Sequence, residues 1–174
     1  MKRFVTADPH FGNDAIIQHC NRPFKNASHM DKQLIRNFNS VVSNDDDLYI
    51  VGDVSLRTSQ YRHYYEMLFQ KLNGRIHIIA GNHEVRNFNL YAETGAMSFH
   101  HPYLEVEEFV LCHDPALSVV DRNRIFLVGH IHDLFKVQKN CINVGVDVHD
   151  YKPISFEEVR EIANNISLPK EVEF

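Results

Sequence analysis

The sequence has no tryptophan and three cysteines, Cys20, Cys112 and Cys141, which are far apart and form no Cys-x-x-Cys pair. An odd number of isolated cysteines indicates neither a disulfide framework nor a zinc ribbon, and it favours a reducing compartment. No apolar run approaches the roughly 20 residues of a transmembrane helix. The N-terminal segment reaches Asp8 too early to supply a secretory apolar region. These absences predict a cytoplasmic protein that does not bind membranes.

Positive charge is also scarce. The chain has 18 Lys and Arg against 23 Asp and Glu, a net charge of −5, and no basic run exceeds two residues. Long nucleic acid is therefore disfavoured as a partner, because its binding depends on phosphate neutralisation. The net charge leaves open the alternative of a local basic patch. The 174 residues predict a single domain over 1–174.

Histidine, by contrast, is abundant, with 12 residues, several of which follow apolar runs. The apolar residues 78–80 run directly into Gly81-Asn82-His83-Glu84. A short apolar run of this kind predicts a buried strand, and open α/β sheets usually carry ligands at the carboxyl ends of their strands. A plain strand-to-loop turn with solvated polar residues explains this one stretch equally well.

Four other predicted strands end in the same way. The strands over 3–7, 48–51, 109–112 and 125–128 are followed by Asp8 and His10, by Asp53, by His113, and by His130 and His132. In extended chain, the two side chains of Asp-x-His point the same way, and a carboxylate beside an imidazole suits zinc, manganese or iron. Each pattern is weak when taken alone. Together, the five strand ends predict enough ligands for two close cations that share one carboxylate.

The remaining elements are predicted from periodicity and capping signals. Helices are expected over 13–20, 28–42 and 59–72, and from the Ser155–Glu158 capping box to 166, with a second capping box at Ser28–Asp31. The acidic residues 45–47 predict a solvated turn. A helix or loop is expected over 86–94, a strand interrupted by Pro102 over 96–106, and a frayed tail from 168.

The order Asp-x-His, Gly-Asp, Gly-Asn-His-Glu, His and Gly-His-x-His resembles the calcineurin-like metallophosphoesterase family. Further segments resemble its small bacterial and phage members in particular: Phe11-Gly12, Arg22-Pro23-Phe24, Leu72-Asn73-Gly74 and Asn143-Val144-Gly145-Val146-Asp147. The resemblance implies an α/β fold, a four-layer sandwich of two mixed β-sheets flanked by helices.

The resemblance also implies how two divalent metal ions are held. The first cation takes Asp8, His10, Asp53 and His132, and the second takes Asp53, Asn82, His113 and His130, with Asp53 as the bridge. Manganese, iron, zinc or nickel is expected, with manganese favoured in vitro.

The implied activity is hydrolysis of small phosphomono- or phosphodiesters, nucleotide-like or other, by in-line attack of a hydroxide held between the cations. His83 is expected to protonate the leaving alkoxide. Glu84, where the family usually has Asp, is expected to support His83 through its ring N–H. Asn82 and Arg22 are expected to contact the substrate, since a guanidinium fork matches phosphate oxygens. An exposed loop arginine is an equally good interpretation of Arg22.

Two other functions share this fold. Some relatives have lost their metals and act as non-catalytic interaction scaffolds, although the intact ligand set weighs against that interpretation. A nuclease that acts on short nucleic acids would use the same site and differ in substrate access.

Overall fold

Two five-stranded mixed β-sheets form the centre of the protein, seen in a computed structural model that describes residues 1–55, 62–84, 91 and 93–168. The first sheet contains β1 (Arg3–Thr6), β2 (Asp47–Val51), β3 (Arg75–Ile79), β4 (Ser98–His100) and β10 (Ile154–Ser155). Their order is β10-β1-β2-β3-β4, and all pairs are parallel except β10 with β1.

The second sheet contains β5 (Tyr103–Val106), β6 (Phe109–Cys112), β7 (Ile125–Val128), β8 (Val137–Gln138) and β9 (Cys141–Asn143). Its order is β5-β6-β7-β9-β8, with the two edge strands antiparallel to their neighbours. The predicted pair of mixed sheets is therefore confirmed.

Helices α1 (Asp14–His19), α2 (Ala27–Val41) and α3 (Arg62–Phe69) cover the outer face of the first sheet. A further helix of the described residues, α4 (Phe156–Ala163), packs with residues of both sheets, and 3-10 segments span Pro115–Val120 and Val146–Val148. The side chains of Met30, Leu34 and Phe38 lie one above another on α2 and are fully buried against the sheet. Burial of each such side chain contributes roughly 1.5–3 kcal/mol. The helix that periodicity predicted over 28–42 is confirmed as α2, and its apolar side faces the sheet.

Alternate residues of the strands face different layers, because successive side chains in a strand point to opposite faces. Val5 and Tyr49 face the space between the sheets, where they join Leu111, Leu127 and Phe156 of α4. The outer face of the second sheet packs against Leu117 of the 3-10 segment and against Phe135. The order of layers is therefore helices, sheet, sheet and a thin 3-10 cover, which agrees with the predicted four-layer sandwich.

Helix caps differ in one place from the sequence-based expectation. The N-cap of α2 is Asn26, whose side chain accepts from His29 N at 2.9 Å, so the predicted capping box at Ser28–Asp31 is wrong. Asp31 instead accepts from Gly12 N at 2.8 Å. The capping box of α4 at Ser155 is confirmed.

Two other local predictions are corrected. The strand expected over 96–106 is two strands of different sheets, β4 and β5, because Pro102 interrupts it. The acidic turn is solvated only at Asp45, which is exposed. Asp46 is buried and accepts from Ser43 N at 3.0 Å, and Asp47 is the buried first residue of β2.

Several expectations fall wholly or partly outside the described residues. They are the start of the helix at 59–61, most of the segment 86–94, and the tail from 169. Within the described ranges, no helix is long and apolar enough to cross a membrane.

Candidate metal centre

The parallel strands of both sheets end at one edge, and contacts between the sheets join these ends. His113, directly after β6, places its ring Nδ1 at 2.9 Å from the carbonyl of Val51 in β2. The backbone N–H of His130, just beyond β7, donates to both carboxylate oxygens of Asp8, just beyond β1, at 3.1 and 2.9 Å. The strand-end loops of the two sheets therefore form one cleft.

Five of the predicted ligands have left-handed backbone conformations. The φ angles are 55° at Asp8, 52° at His10, 51° at Asp53, 73° at His130 and 48° at His132. Asp and His adopt this region more readily than most residues, but each such residue still costs of order 1–3 kcal/mol. Strain of this kind is concentrated at functional sites, where the surrounding structure holds it.

Glycines in the motifs leave room for the ligands. A Cβ at Gly81 would lie 2.5 Å from Asp53 Oδ1, and a Cβ at Gly52, where φ is 79°, would overlap the ring of His113. Only glycine lets the backbone approach the carboxylate and the imidazole this closely.

The first cluster brings together Asp8, His10 and His132, with one ligand atom from each residue within 4.8 Å of the others. His10 is 3% exposed, and among the described residues neither of its ring nitrogens has a hydrogen-bond partner. Burial lowers the pKa of His10 to about 3, so the ring is neutral and carries a free lone pair. A buried polar group without a partner is destabilising, and a cation would satisfy it.

The second cluster brings together Asp53, His113 and His130, and it includes the amide of Asn82. His113 Nε2 lies 3.4 Å from Asp53 Oδ1 and 3.1 Å from Asn82 Oδ1, and His130 Nδ1 lies 3.2 Å from the same amide oxygen. Two ligand atoms that bind one ion at metal–ligand distances of about 2.1 Å lie roughly 3.0–3.4 Å from each other. The four side chains therefore fit around a divalent cation.

The tautomer of His113 supports this fit. Its Nδ1 faces the Val51 carbonyl, so Nδ1 carries the proton and the neutral ring directs the Nε2 lone pair towards the oxygens of Asp53 and Asn82. Burial lowers the pKa of His113, but the hydrogen bond to Asp53 and the charges of Asp8 and Asp53 outweigh it and raise this pKa to about 9. A positive charge, from a proton or a cation, is thus favoured between these groups.

Asp8 is deeply buried beside these groups. Burial raises its pKa to about 6, although the nearby histidines His113 and His132 lower it. A cation within reach of this carboxylate would stabilise its ionised form.

Arg22 has a different position from the one expected. Its buried guanidinium donates through Nε and Nη2 to the two oxygens of Asp147, at 2.7 and 2.8 Å. It also donates to the carbonyls of Asp8 and Pro9, at 2.8 and 3.0 Å. The prediction that Arg22 contacts the substrate is therefore corrected, because these donors face into the protein.

Asp147 is a residue that the sequence-based site prediction did not include. Its Oδ2 accepts from His132 Nδ1 at 3.2 Å, which leaves Nε2 of that ring for a metal. Cys20, His132 and Asp147 also form a group of metal-ligand type, but both oxygens of Asp147 already accept from Arg22. The sequence signal that could have identified Asp147 was the segment 143–147, which resembles the family. No role had been assigned to the residues of this segment.

Glu84 is the second correction. Its carboxylate accepts from the backbone N–H groups of Asp53, Val54 and Gly81 at 2.8, 2.9 and 2.9 Å. None of its hydrogen bonds within the described part of the chain reaches the ring of His83. Burial, followed by the charge of Asp53, raises the pKa of Glu84 to about 7. Glu84 thus joins the loops that carry Asp53 and Asn82 and does not support His83.

His83 faces the cleft. Its side chain is 36% exposed, and its Nε2 lies 3.5 Å from Asp53 Oδ2. With His10 and Asp53 it also forms a group whose ligand atoms lie within 4.8 Å of one another. His83 therefore combines proximity to the centre with access from solvent, as do Asn82 and His130.

The fold and the two clusters define an α/β protein whose strand-end loops are able to bind divalent metal ions. A sequence profile of calcineurin-like phosphoesterases matches residues 1–159. The chain belongs to the calcineurin-like phosphoesterase family.

Two similar proteins extend this comparison. The chain is 33% identical over 164 residues to the uncharacterized protein MJ1445 of Methanocaldococcus jannaschii, with 90% of this chain and 88% of the relative covered. A crystal structure of a protein of unknown function, AQ665 from Aquifex aeolicus, has a TM-score of 0.73 at 22% identity and covers 92% of this chain and 98% of its own. At that identity, the second similarity shows the fold alone.

Proposed function

We propose that the protein is a dinuclear metal-dependent phosphoesterase that hydrolyses phosphomono- or phosphodiesters. The observation that carries this proposal is the pair of adjacent ligand clusters, Asp8–His10–His132 and Asp53–His113–His130. Asp53 lies between them, with Oδ2 at 3.5 Å from His10 and Oδ1 at 3.4 Å from His113. Asp53 is therefore the carboxylate that both metal sites would share.

Two bound divalent cations would supply an activated water and neutralise charge on the phosphoryl oxygens. The side chains of the first cluster are held in place by Asp147 behind His132 and by the backbone N–H of His130 on Asp8. Val51 fixes the ring of His113 in the second cluster. Such fixed ligands favour the reaction because little reorganisation is needed.

His83 is proposed to donate a proton from its Nε2 to the leaving alkoxide. It lies beside Asp53 at the solvent-facing wall of the cleft. Proton donation by a positioned histidine typically contributes about 10²–10⁴-fold. We propose small phosphoesters as substrates, manganese as the activating ion in vitro and the cytoplasm as the location.

The experiment is an assay with p-nitrophenyl phosphate and bis-p-nitrophenyl phosphate after supplementation with Mn²⁺, Fe²⁺, Zn²⁺ or Ni²⁺. Hydrolysis that is abolished by EDTA and lowered at least about 100-fold by Asp53→Asn is expected, because that variant weakens both metal sites. Asp45→Asn, at an exposed position, is the matched control and should retain full activity. A protein that binds metal but hydrolyses neither ester with any ion would favour the scaffold function.

A further inference from the structure

Two pockets open from the metal centre, and Asn82 and His130 line both of them. One has a volume of about 420 Å³ and contains His83 and His19; we call it the histidine pocket. The other has a volume of about 480 Å³ and is lined by His113 but not by His83. Both volumes are in the range of small-molecule sites, about 300–1,000 Å³.

The lining of the second pocket is largely apolar, and we call this site the apolar pocket. Its apolar side chains include Pro102, between β4 and β5, and Ala116, Leu117 and Val120 on the 3-10 segment, and its polar ones include His101 and Asp114. Val120 is 73% exposed, although it is aliphatic. Exposed aliphatic side chains next to a polar reaction centre are typical of a site that binds an organic group.

The position of His83 separates the roles of the two pockets. The group that leaves phosphorus must lie next to its proton donor, and His83 lines the histidine pocket but not the apolar pocket. A group in the apolar pocket reaches the centre at Asn82 and His113, on the side of the second cluster. That group would stay attached to phosphorus. A monoester has no second organic group, whereas a phosphodiester has one.

We propose that the apolar pocket binds the retained organic group of a phosphodiester and prefers an apolar group larger than methyl there. This inference rests on the proposed function and specifies its substrate class. In the reaction, an oxygen of water bonds to phosphorus and the P–O bond to the leaving alcohol breaks. The leaving oxygen takes a proton, and the second ester bond is kept. The product is a phosphomonoester of the alcohol whose organic group the apolar pocket holds.

The test uses three esters that share the same leaving group, p-nitrophenolate. They are p-nitrophenyl phosphate, methyl p-nitrophenyl phosphate and phenyl p-nitrophenyl phosphate. The phenyl diester should have a kcat/KM about tenfold above that of the methyl diester, because only the phenyl ring fills the apolar pocket. Val120→Asp should abolish this ratio, because a carboxylate in the wall removes the apolar contact with the phenyl ring. Val119→Asp is the matched control, since Val119 is 65% exposed and lines a different pocket; it should keep the ratio.

Equal kcat/KM for the two diesters in the unmodified protein would overturn the inference, as would a ratio that Val120→Asp leaves intact. A separate arm measures binding of phenyl methylphosphonate and methyl methylphosphonate by titration calorimetry. The phenyl compound should bind about tenfold more tightly, and Val120→Asp should remove the difference. If no ester is hydrolysed with any metal, the proposed function fails, and this arm still decides for or against the pocket: equal affinities overturn it.

Discussion

Arg22 holds Asp147 by both carboxylate oxygens, at 2.7 and 2.8 Å, although 125 residues separate the two in sequence. The pair is buried, and Asp147 in turn accepts from the ring of His132. Arg22 also donates hydrogen bonds to the backbone carbonyls of Asp8 and Pro9, which lie just beyond the end of β1. One guanidinium therefore fixes the loops that supply Asp8 and His132.

Arg22→Lys should lower the free energy of unfolding of the metal-free protein by about 3 kcal/mol, because an ammonium cannot make the same forked contacts with a buried partner. Urea unfolding measures this change. Arg36→Lys, on the exposed side of α2, is the control and should change it by less than about 0.5 kcal/mol. Unchanged stability with a raised KM would instead restore Arg22 as a substrate contact.

Asp147→Asn should weaken Mn²⁺ binding about 10–100-fold, because His132 loses the carboxylate that orients its ring. Titration calorimetry measures the affinity, at a temperature where circular dichroism shows the variant to be folded. Asp133→Asn removes the same charge at an exposed neighbouring position and should bind Mn²⁺ normally. Equal affinities of all three proteins would show that Asp147 does not position His132.

Glu84→Asp should destabilise the protein, even though Asp is the usual residue of the family. The shorter side chain cannot reach the N–H groups of Asp53, Val54 and Gly81 together, and each buried donor left unpaired costs about 1–3 kcal/mol. Thermal and urea unfolding measure this loss, with Glu157→Asp at an exposed position of α4 as the control. Normal stability combined with faster turnover would instead indicate that residue 84 acts through His83.

His83→Asn should keep Mn²⁺ affinity within a few-fold and lower kcat for alkyl phosphoesters about 10²–10⁴-fold. The loss should be smaller for p-nitrophenyl esters, because p-nitrophenolate leaves without a proton. Steady-state rates for both ester types, with His63→Asn at an exposed position of α3 as the control, measure the difference. Equal losses for both types would contradict proton donation, and a loss of metal would make His83 a ligand.

Acid should destabilise the first sheet through Asp47. Burial raises the pKa of this carboxyl, but hydrogen bonds from Arg75 and His77, at 2.8 and 3.1 Å, outweigh it and hold the pKa below its usual 3.8. The folded state thus gains stability above pH 3.8 and loses it as the pH falls through the lowered pKa. Urea unfolding between pH 3 and 7 should show a smaller decline in Asp47→Asn than in the unmodified protein. Asp45→Asn should keep the full decline.

Much of the fold was predictable from local sequence. The apolar runs predicted β1, β2, β3, β6 and β7 because a buried strand needs only a short apolar segment and a stop signal. The stripe of Leu34 and Phe38 on α2 likewise depends on helical periodicity alone. The α2 cap was not predicted correctly, because Asn26 and Ser28 are both good N-cap residues and the packing of the chain before the helix decided between them.

The candidate site was predictable in its residue types but not in its supporting contacts. Strand-end positions brought Asp8, Asp53 and His113 into one cleft, and their roles as ligands stay predictions that the experiments above test. The roles of Arg22 and Glu84 were assigned wrongly, since each was assigned from its chemistry and its sequence neighbours. In the structure, each side chain binds groups contributed by other loops.

The sequence by itself determined which residues end the strands and hence which chemistry the cleft carries, because strand formation and metal-ligand character depend on short segments. Only the tertiary structure decided that Arg22 binds Asp147 and that Glu84 joins the loops of Asp53 and Gly81. Those contacts, 125 and 31 residues apart, arise when buried polar groups find partners among the loops that the two sheets bring together.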